Sequence, residues 1–397
     1  MEQIDLSYID SYIDEIIKFR HDIHSHPELA YEEVRTSQIV KSKLEQLGYE
    51  VHYGLAETGI VATLQGRLGV GPIVALRADL DALPIFEETG QIYQSNYAGK
   101  MHACGHDGHT AMLLGAAQYF AQYPDFKGTV RLIFQPAEEG MGGAKRMMDE
   151  GLFELFPCDY IFGMHNMPGL QPGHFQIVKG TVTASSDTWS IKFYGIGGHG
   201  SAPHQTTDVT MTGAQFIVAL QSIVSRNVNP FDVAVVSIGH IQTGHEKAPN
   251  VIPTQIMIKG TTRCFSDNVR DLIEERIGQI AQQVAETFNC RADVDYLRRY
   301  PPTINHIDAY KIAVEAAIQT VSKHQVNTNA KPVSGSEDFS FYAQKVSGTY
   351  VFIGNGNDNV FQHMLHTPHY DFNDNIIKVG ILYWINVVLS AGNISNN

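Results

Sequence analysis

The hydrophobic pattern of the chain switches between a helical period and short apolar runs of strand length. Residues 7–23 place apolar positions at helical spacing in an acidic segment, which predicts an amphipathic helix. Glu32 to Leu47 predicts a second helix, closed by Gly48 as its C-terminal cap. Ile60–Gln65 and Ile73–Arg77 are apolar, β-branched and strand-sized. Thr110–Tyr123 then predicts a helix rich in Ala and Leu, Thr129–Phe134 a buried strand, and Tyr160–Met164 another strand. Between these two strands a new helix is expected from Gly140 to Gly151. Strands joined by helical segments predict βαβ units, which carry functional groups at the carboxyl ends of the strands.

Near Thr183 the texture changes. Asp187–Tyr194 alternates apolar and polar residues, as a half-buried antiparallel strand does. A helix (Val209–Arg226), two strands (Val233–His240 and Gln255–Arg263), a second helix (Arg270–Phe288) and a strand around Arg291–Tyr296 complete an α+β unit. βαβ character then resumes, so this unit is expected to be an insertion. Helices are predicted over Ile307–Val321, Phe339–Lys345 and Asn375–Ser390, with a strand at Tyr350–Gly354. The expected division is residues 1–182 with 297–397, interrupted by 183–296. The turn Ser334-Gly335-Ser336 is expected to open a helix N-terminus, where free N–H groups favour an anion such as a substrate carboxylate.

The candidate chemistry is concentrated in Met101-His102-Ala103-Cys104-Gly105-His106-Asp107-Gly108-His109-Thr110. Cys104 and His106 are two apart, so on an extended or loop backbone they face the same way. A thiolate and an imidazole suit zinc, nickel, cobalt or manganese better than calcium or magnesium. The competing reading is a polar loop whose histidines cap the following helix. Further candidates arrive at strand ends: Asp79 and Asp81, then Glu138-Glu139, then His165-Asn166. Adjacent glutamates face opposite ways on an extended backbone, so one can bind a cation while its neighbour faces the water that the cation activates. Arg77 stands beside Asp79 and Asp81 and is a candidate ion-pair partner for them. His21, His24 and His26 are expected in a turn between helices, with one or two lining a cleft. A last histidine cluster runs from His363 to Tyr370.

Composition narrows the function classes. Of 397 residues 43% are hydrophobic, enough for substantial cores. A net charge of −14 argues against nucleic acid or an acidic membrane surface as partner. The first residues show no basic and apolar leader, so no signal peptide is expected. Val379–Ala391 is too short to span a bilayer and contains Asn386, so a buried C-terminal helix is expected. Four cysteines without paired spacing suggest a reducing cytoplasm and no disulfide framework. The G-x-S-x-G elbow of a serine hydrolase is absent from the sequence.

Taken together, these motifs resemble those of M20-type metallopeptidases, in the aminoacylase/amidohydrolase branch that includes hippurate hydrolases, N-acyl-amino-acid deacylases and plant auxin-conjugate hydrolases. The resemblance spans essentially the whole chain. It rests on His24-Ser25-His26-Pro27-Glu28-Leu29, Arg77–Pro84, Met101–Thr110, Gln135–Gly140, Gly197–His204, Ser334–Phe339 and Leu365-His366-Thr367-Pro368. It implies an α/β, zinc-peptidase-like three-layer catalytic domain interrupted by a ferredoxin-like α+β lid that also forms a homodimer or a higher assembly. It implies a two-metal site (Mn, Zn, Co or Ni) on Cys104, His106, Glu139, His165 and His366. Glu138 would be the general base, with Asp81 as a further catalytic or supporting acid. Lid residue His199 would stabilise the oxyanion in the partner subunit. Asn250, Arg263, Ser334 and Gly335 would hold the substrate. The implied substrate is a small N-acyl amino acid. A dipeptidase or carboxypeptidase, an N-acetyl-diaminopimelate deacetylase and a non-catalytic metal-binding protein are the alternatives. In one respect the chain departs from the wider family: Asp79 stands where most members have a metal-binding histidine, and Cys104 supplies a ligand instead.

Overall fold

A computed structural model describes residues 4–357, 361 and 363–394. Two helices, α1 (Leu6–Ser25) and α2 (Val34–Gln46), precede the strands β1 (Glu50–Leu55), β2 (Gly59–Gln65) and β3 (Ile73–Asp79). There follow α3 (His106–Gln122), β4 (Thr129–Gln135), the short helices α4 (Glu138–Met141), α5 (Gly143–Asp149) and α6 (Leu152–Leu155), and β5 (Tyr160–Pro168). Next come β6 (Phe175–Gln176), β7 (Gly180–Thr183), β8 (Ser186–Tyr194), β9 (Gly198–His199) and α7 (Val209–Leu220). Then β10 (Ala234–Thr243), β11 (Val251–Ile252), β12 (Gln255–Cys264), α8 (Asp267–Thr287) and β13 (Arg291–Tyr300) follow. The chain closes with β14 (Thr303–Asn305), α9 (Ile307–Thr320), β15 (Val326–Asn327), α10 (Phe339–Ala343), β16 (Ser347–Gly356) and α11 (Ile377–Ile394).

Two compact units result: Met1–Val182 with Ile304–Lys331 and Asp338–Asn397, and Thr183–Thr303 with Pro332–Glu337. The second unit extends beyond the expected residue 296. Its last strand continues pairing with β8 as far as Tyr300 opposite Ser186.

The first unit is built on an eight-stranded sheet of order β1-β2-β4-β3-β5-β16-β6-β15. Its centre, β4-β3-β5-β16, is parallel. Central parallel strands are covered on both faces and therefore read as continuous apolar runs, as β3 and β5 do. On β5, Phe162 belongs to the core formed with α1, α3, α9 and α11. Its neighbour Gly163 lies against Phe339 of α10 and Tyr350, where a Cβ would collide with the rings. Helices thus lie on both sides of the sheet. The C-terminal helix is long and apolar enough to cross a membrane, but 72% of that segment is buried inside the protein, as a core helix requires.

The second unit is a four-stranded antiparallel sheet, β10-β12-β8-β13, in β-α-β-β-α-β order. Alternate residues of β8, Trp189, Ile191 and Phe193, join α7 and α8 in its core. Asp187 is buried and paired with Arg270 at 2.6 Å.

Phe162→Ala should remove a fully buried ring at the centre of the large sheet and cost about 3–5 kcal/mol. Urea unfolding of the metal-free protein should show a lower midpoint at unchanged slope.

Candidate metal centre

The carboxyl ends of the parallel strands carry the site. Strands β3 and β4 end in register, Asp79 opposite Gln135. The chain leaves β3 into Asp81, and it leaves β4 through Ala137 into Glu138 and Glu139. His165 and Asn166 lie within β5. Cys104, Gly105 and His106 enter from the start of α3, and His366 from the loop before α11.

Helix α3 begins at His106, earlier than the expected Thr110. Gly105 explains the difference: at φ +94° it supplies the left-handed turn that ends the loop. Cys104 and His106 therefore converge through a glycine turn, not through alternation along an extended backbone. The helix expected from Gly140 is likewise broken, into α4 and α5. Left-handed Ala137 (φ 56°) and Gly142 (φ 68°) turn the chain on either side of the glutamates.

These segments converge on one cluster. Cys104 Sγ lies 3.3 Å from His165 Nε2. The donors of Cys104, His106 and His165 all fall within 4.8 Å of one another, as do those of Cys104, Glu139 and His366, and those of His106, Glu138 and Glu139. His366, at left-handed φ 64°, places Nε2 3.1 Å from Glu139 Oε1. Its backbone N–H bonds the Ala103 carbonyl at 2.8 Å, tying the late loop to the cysteine segment.

The histidines are oriented for coordination. His106 donates from Nδ1 to Asp81 Oδ1 at 3.2 Å, and its Nε2 is buried without a hydrogen-bond partner. His165 donates from Nδ1 to the Asn166 carbonyl at 2.7 Å, turning Nε2 towards Cys104. Ligating histidines are commonly held this way, by their other ring nitrogen. Asp81 also accepts the Glu139 backbone N–H at 2.9 Å, so it fixes two candidate ligands at once.

The electrostatics call for a cation. Burial, then Glu139, Glu138 and Asp79, push the Cys104 thiol well above its usual value. Against burial, Asp79 and Asp81 push His106 up to about 10. Burial, with His109 and His106, keeps His165 well below the usual histidine range and so neutral. A pocket that resists a bare thiolate and favours an imidazolium lacks positive charge. The donor set of sulfur, imidazole and carboxylate suits a borderline-soft divalent cation. Residues and group therefore fit.

The remaining expectations land elsewhere. His21 and His24 lie inside α1, whose last turn includes His24, and His26 is its C-cap. His24 lines no cleft: it is fully buried, bonded to Asp107 at 2.8 Å and Glu87 at 3.2 Å. Arg77 does pair with Asp79, at 2.6 Å, and also with Asp338 at 2.9 Å. Ser334 and Gly335 do not open a helix. The next helix starts at Phe339 behind Asp338, whose carboxylate is already bonded to Arg77, Gln135 and the Ala144 N–H. In the second unit, His199 sits exposed on β9, paired with β11. Its Nδ1 accepts from the Ser201 N–H at 3.1 Å and lies 2.8 Å from the Ser201 hydroxyl. The backbone donor requires Nδ1 to be an acceptor, so a neutral ring carries its proton on Nε2. Asn250 is exposed, and its carbonyl accepts the Gly200 N–H. Arg263 bonds the Thr261 hydroxyl and the Thr262 carbonyl and has no ion-pair partner among the described residues.

Glu33 carried no signal in the sequence, and the bonds that join His109, Asn166 and Tyr370 were not legible there. Glu33 is fully buried; it accepts from the Ala137 N–H at 2.9 Å and the Thr58 hydroxyl at 2.8 Å, pinning the strained turn before Glu138. His109, Asn166 and Tyr370 form a buried chain behind the ligands.

Fold and site define a metal-dependent hydrolase. The comparisons with known proteins place it further. The model of Peptidase family M20/M25/M40 matches residues 75–390, and the chain belongs to that family. It is 42% identical to hippurate hydrolase of Campylobacter jejuni, over 94% of this chain and 96% of that enzyme. It is 38% identical to N-acetyl-L-cysteine deacetylase of Bacillus subtilis, over 89% of this chain and 83% of the relative. Among solved structures, a dinuclear metal binding peptidase of the M20 family from Bacillus subtilis superposes with a TM-score of 0.84 at 32% identity, covering 97% of this chain and 99% of the other. The protein is an amidohydrolase that uses divalent metal and acts on small molecules.

Burial, then the charge of Asp81, pushes Glu33 up to about 7. In the metal-free protein, folded Glu33 keeps a proton that the unfolded chain releases near pH 4.5, so stability falls as pH rises from there to about 7. Glu33→Gln should remove this fall. Relative to the parent, its unfolding free energy should gain roughly 2–3 kcal/mol across the window, measured by urea titration at several pH values.

Proposed function

We propose that the protein hydrolyses the amide bond of N-acyl L-amino acids, releasing a carboxylic acid and a free amino acid. The observation that carries this reading is Glu138: a buried carboxylate next to candidate ligand Glu139, with donor atoms of both grouped with that of His106. A storage site has no use for that second carboxylate. The likeness to hippurate hydrolase and to N-acetyl-L-cysteine deacetylase supports an acyl group on nitrogen and a free amino acid as product.

In this reading Cys104, His106, Glu139, His165 and His366 hold two divalent cations (Mn, Zn, Co or Ni). When bound, such cations polarise a carbonyl and lower the pKa of water towards about 7. Glu138 takes the proton of the attacking water and returns it to the leaving nitrogen. Asp81 acts through His106, whose Nε2 it turns to the centre. His199 offers its Nε2–H to the developing oxyanion in the partner subunit. Asn250, Arg263, Ser334 and Gly335 anchor the substrate carboxylate or carbonyl; that Arg263 has no ion-pair partner among the described residues supports this. A homodimer through the second unit is supported by edge strand β10, which exposes Val235 and Ile241. Four unpaired cysteines support a cytoplasmic location.

Glu138→Gln should retain bound metal and lose roughly 10²–10⁴ in kcat. Metal analysis beside the assay checks both halves, and normal turnover would remove Glu138 from the mechanism. His199→Ala should lose roughly 10²–10³ with the metal content unchanged. For the substrate, metal-stripped enzyme restored singly with Mn, Zn, Co or Ni should act on hippurate and N-acetyl amino acids. Preference for free dipeptides, or for N-acetyl-diaminopimelate, would overturn the assignment.

A further inference from the structure

Behind the ligand atoms runs a chain of hydrogen bonds in which no member is itself a proposed ligand. His109 Nδ1 donates to Asp79 Oδ1 at 2.6 Å. His109 Nε2 lies 2.8 Å from the Asn166 side-chain amide. That amide meets the Tyr370 hydroxyl at 2.5 Å. All four side chains are 2% exposed or less.

Each member belongs to a different segment of the site. Asp79 ends β3, and His109 lies on the first turn of α3, one turn after His106. Asn166 follows His165, and Tyr370 stands on the same loop as His366. The chain also touches the glycine turn between two ligands. A Cβ on Gly105 would run into the Asn166 side-chain oxygen and the Tyr370 hydroxyl, so the Cys104-Gly105-His106 backbone rests directly on this pair. A buried polar chain tolerates few alternative arrangements, because each displaced donor or acceptor is left unpaired.

We propose that His109, Asn166 and Tyr370 are positioning residues that fix the relative placement of Cys104, His106 and His165, and so set the affinity and geometry of the metal centre. This rests on the ligand set proposed above. A general contribution to core stability is the competing account, and it predicts a different readout.

The test uses the full chain, stripped of metal and titrated with Co(II). Three quantities are read: the thiolate-to-cobalt charge-transfer band, the Kd by competition with a chelator, and the melting temperature of the metal-free protein. Tyr370→Phe removes one hydroxyl. It should weaken the Kd about 10–100-fold and shift the band. The metal-free melting temperature should change by no more than about 2–4 °C. His109→Gln should act in the same direction, and it carries the test if Tyr370→Phe does not fold. A Kd and band equal to the parent's in the folded variant overturn the proposal, whatever the melting temperature does. A weaker Kd with an unshifted band overturns it too, since that is general loosening. If the parent shows no band that Cys104→Ser abolishes, the ligand set itself fails, and this proposal falls with it.

Discussion

The site depends on an excess of buried negative charge at the ends of two parallel strands, β3 and β4. Asp79, Asp81 and Glu138 are all buried beside the Cys104 thiol, and Glu139 is half-buried there. Carboxylates crowded in low dielectric repel one another and lose hydration, an arrangement that folds only with compensation. Arg77 compensates one side, bonding Asp79 and Asp338 from within the sheet. On another side Arg20, fully buried, bonds Asp107 at 2.8 Å and Asp371 at 3.0 Å. These two guanidiniums serve the scaffold. Among the described residues Asp81 and Glu139 are paired only with histidines, and their charge is what a divalent cation would meet.

The same constraint explains where the backbone is strained. Ala137 precedes the glutamate pair and His366 is a candidate ligand, yet both occupy the left-handed region, as Gly105 does between Cys104 and His106. For residues with a Cβ such conformations cost about 1–3 kcal/mol and persist only where surrounding bonds impose them. At Ala137 the bond is to Glu33; at His366 it is to the Ala103 carbonyl. The strain turns side chains inward that a regular strand exit would send to solvent.

Much of this was legible in the sequence. Strand ends announced themselves because buried parallel strands read as apolar runs, so Asp79, Glu138-Glu139 and His165 stood out as polar breaks. The two-unit order followed from the change of period near Thr183. What failed were statements needing a backbone angle or a distant partner. The start of α3 was misplaced because Gly105 can end a loop as well as continue it. The helix after Ser334-Gly335 does start at the expected Phe339, but the residue at its N-terminus is Asp338, whose carboxylate is bonded to Arg77, a partner far away in sequence. His24 resembled a cleft residue, but its partners Asp107 and Glu87 are far away in sequence, and no local pattern encodes them.

Tyr370 shows why local motifs underdetermine such a site. It sits in a histidine-rich stretch whose apparent signal is His366, His363 and His369. The hydroxyl matters only because Asn166, on another segment, turns its amide towards it. Replacing a polar chain of this kind with hydrocarbon is often neutral for stability. Stability alone therefore gives no account of a phenol, an amide and an imidazole held in line behind Gly105. Placement of the ligand atoms does give one: three ligand-bearing segments from separate parts of the chain are brought to a common register by one row of directional bonds, which apolar packing, tolerant of small slides, would not fix as closely.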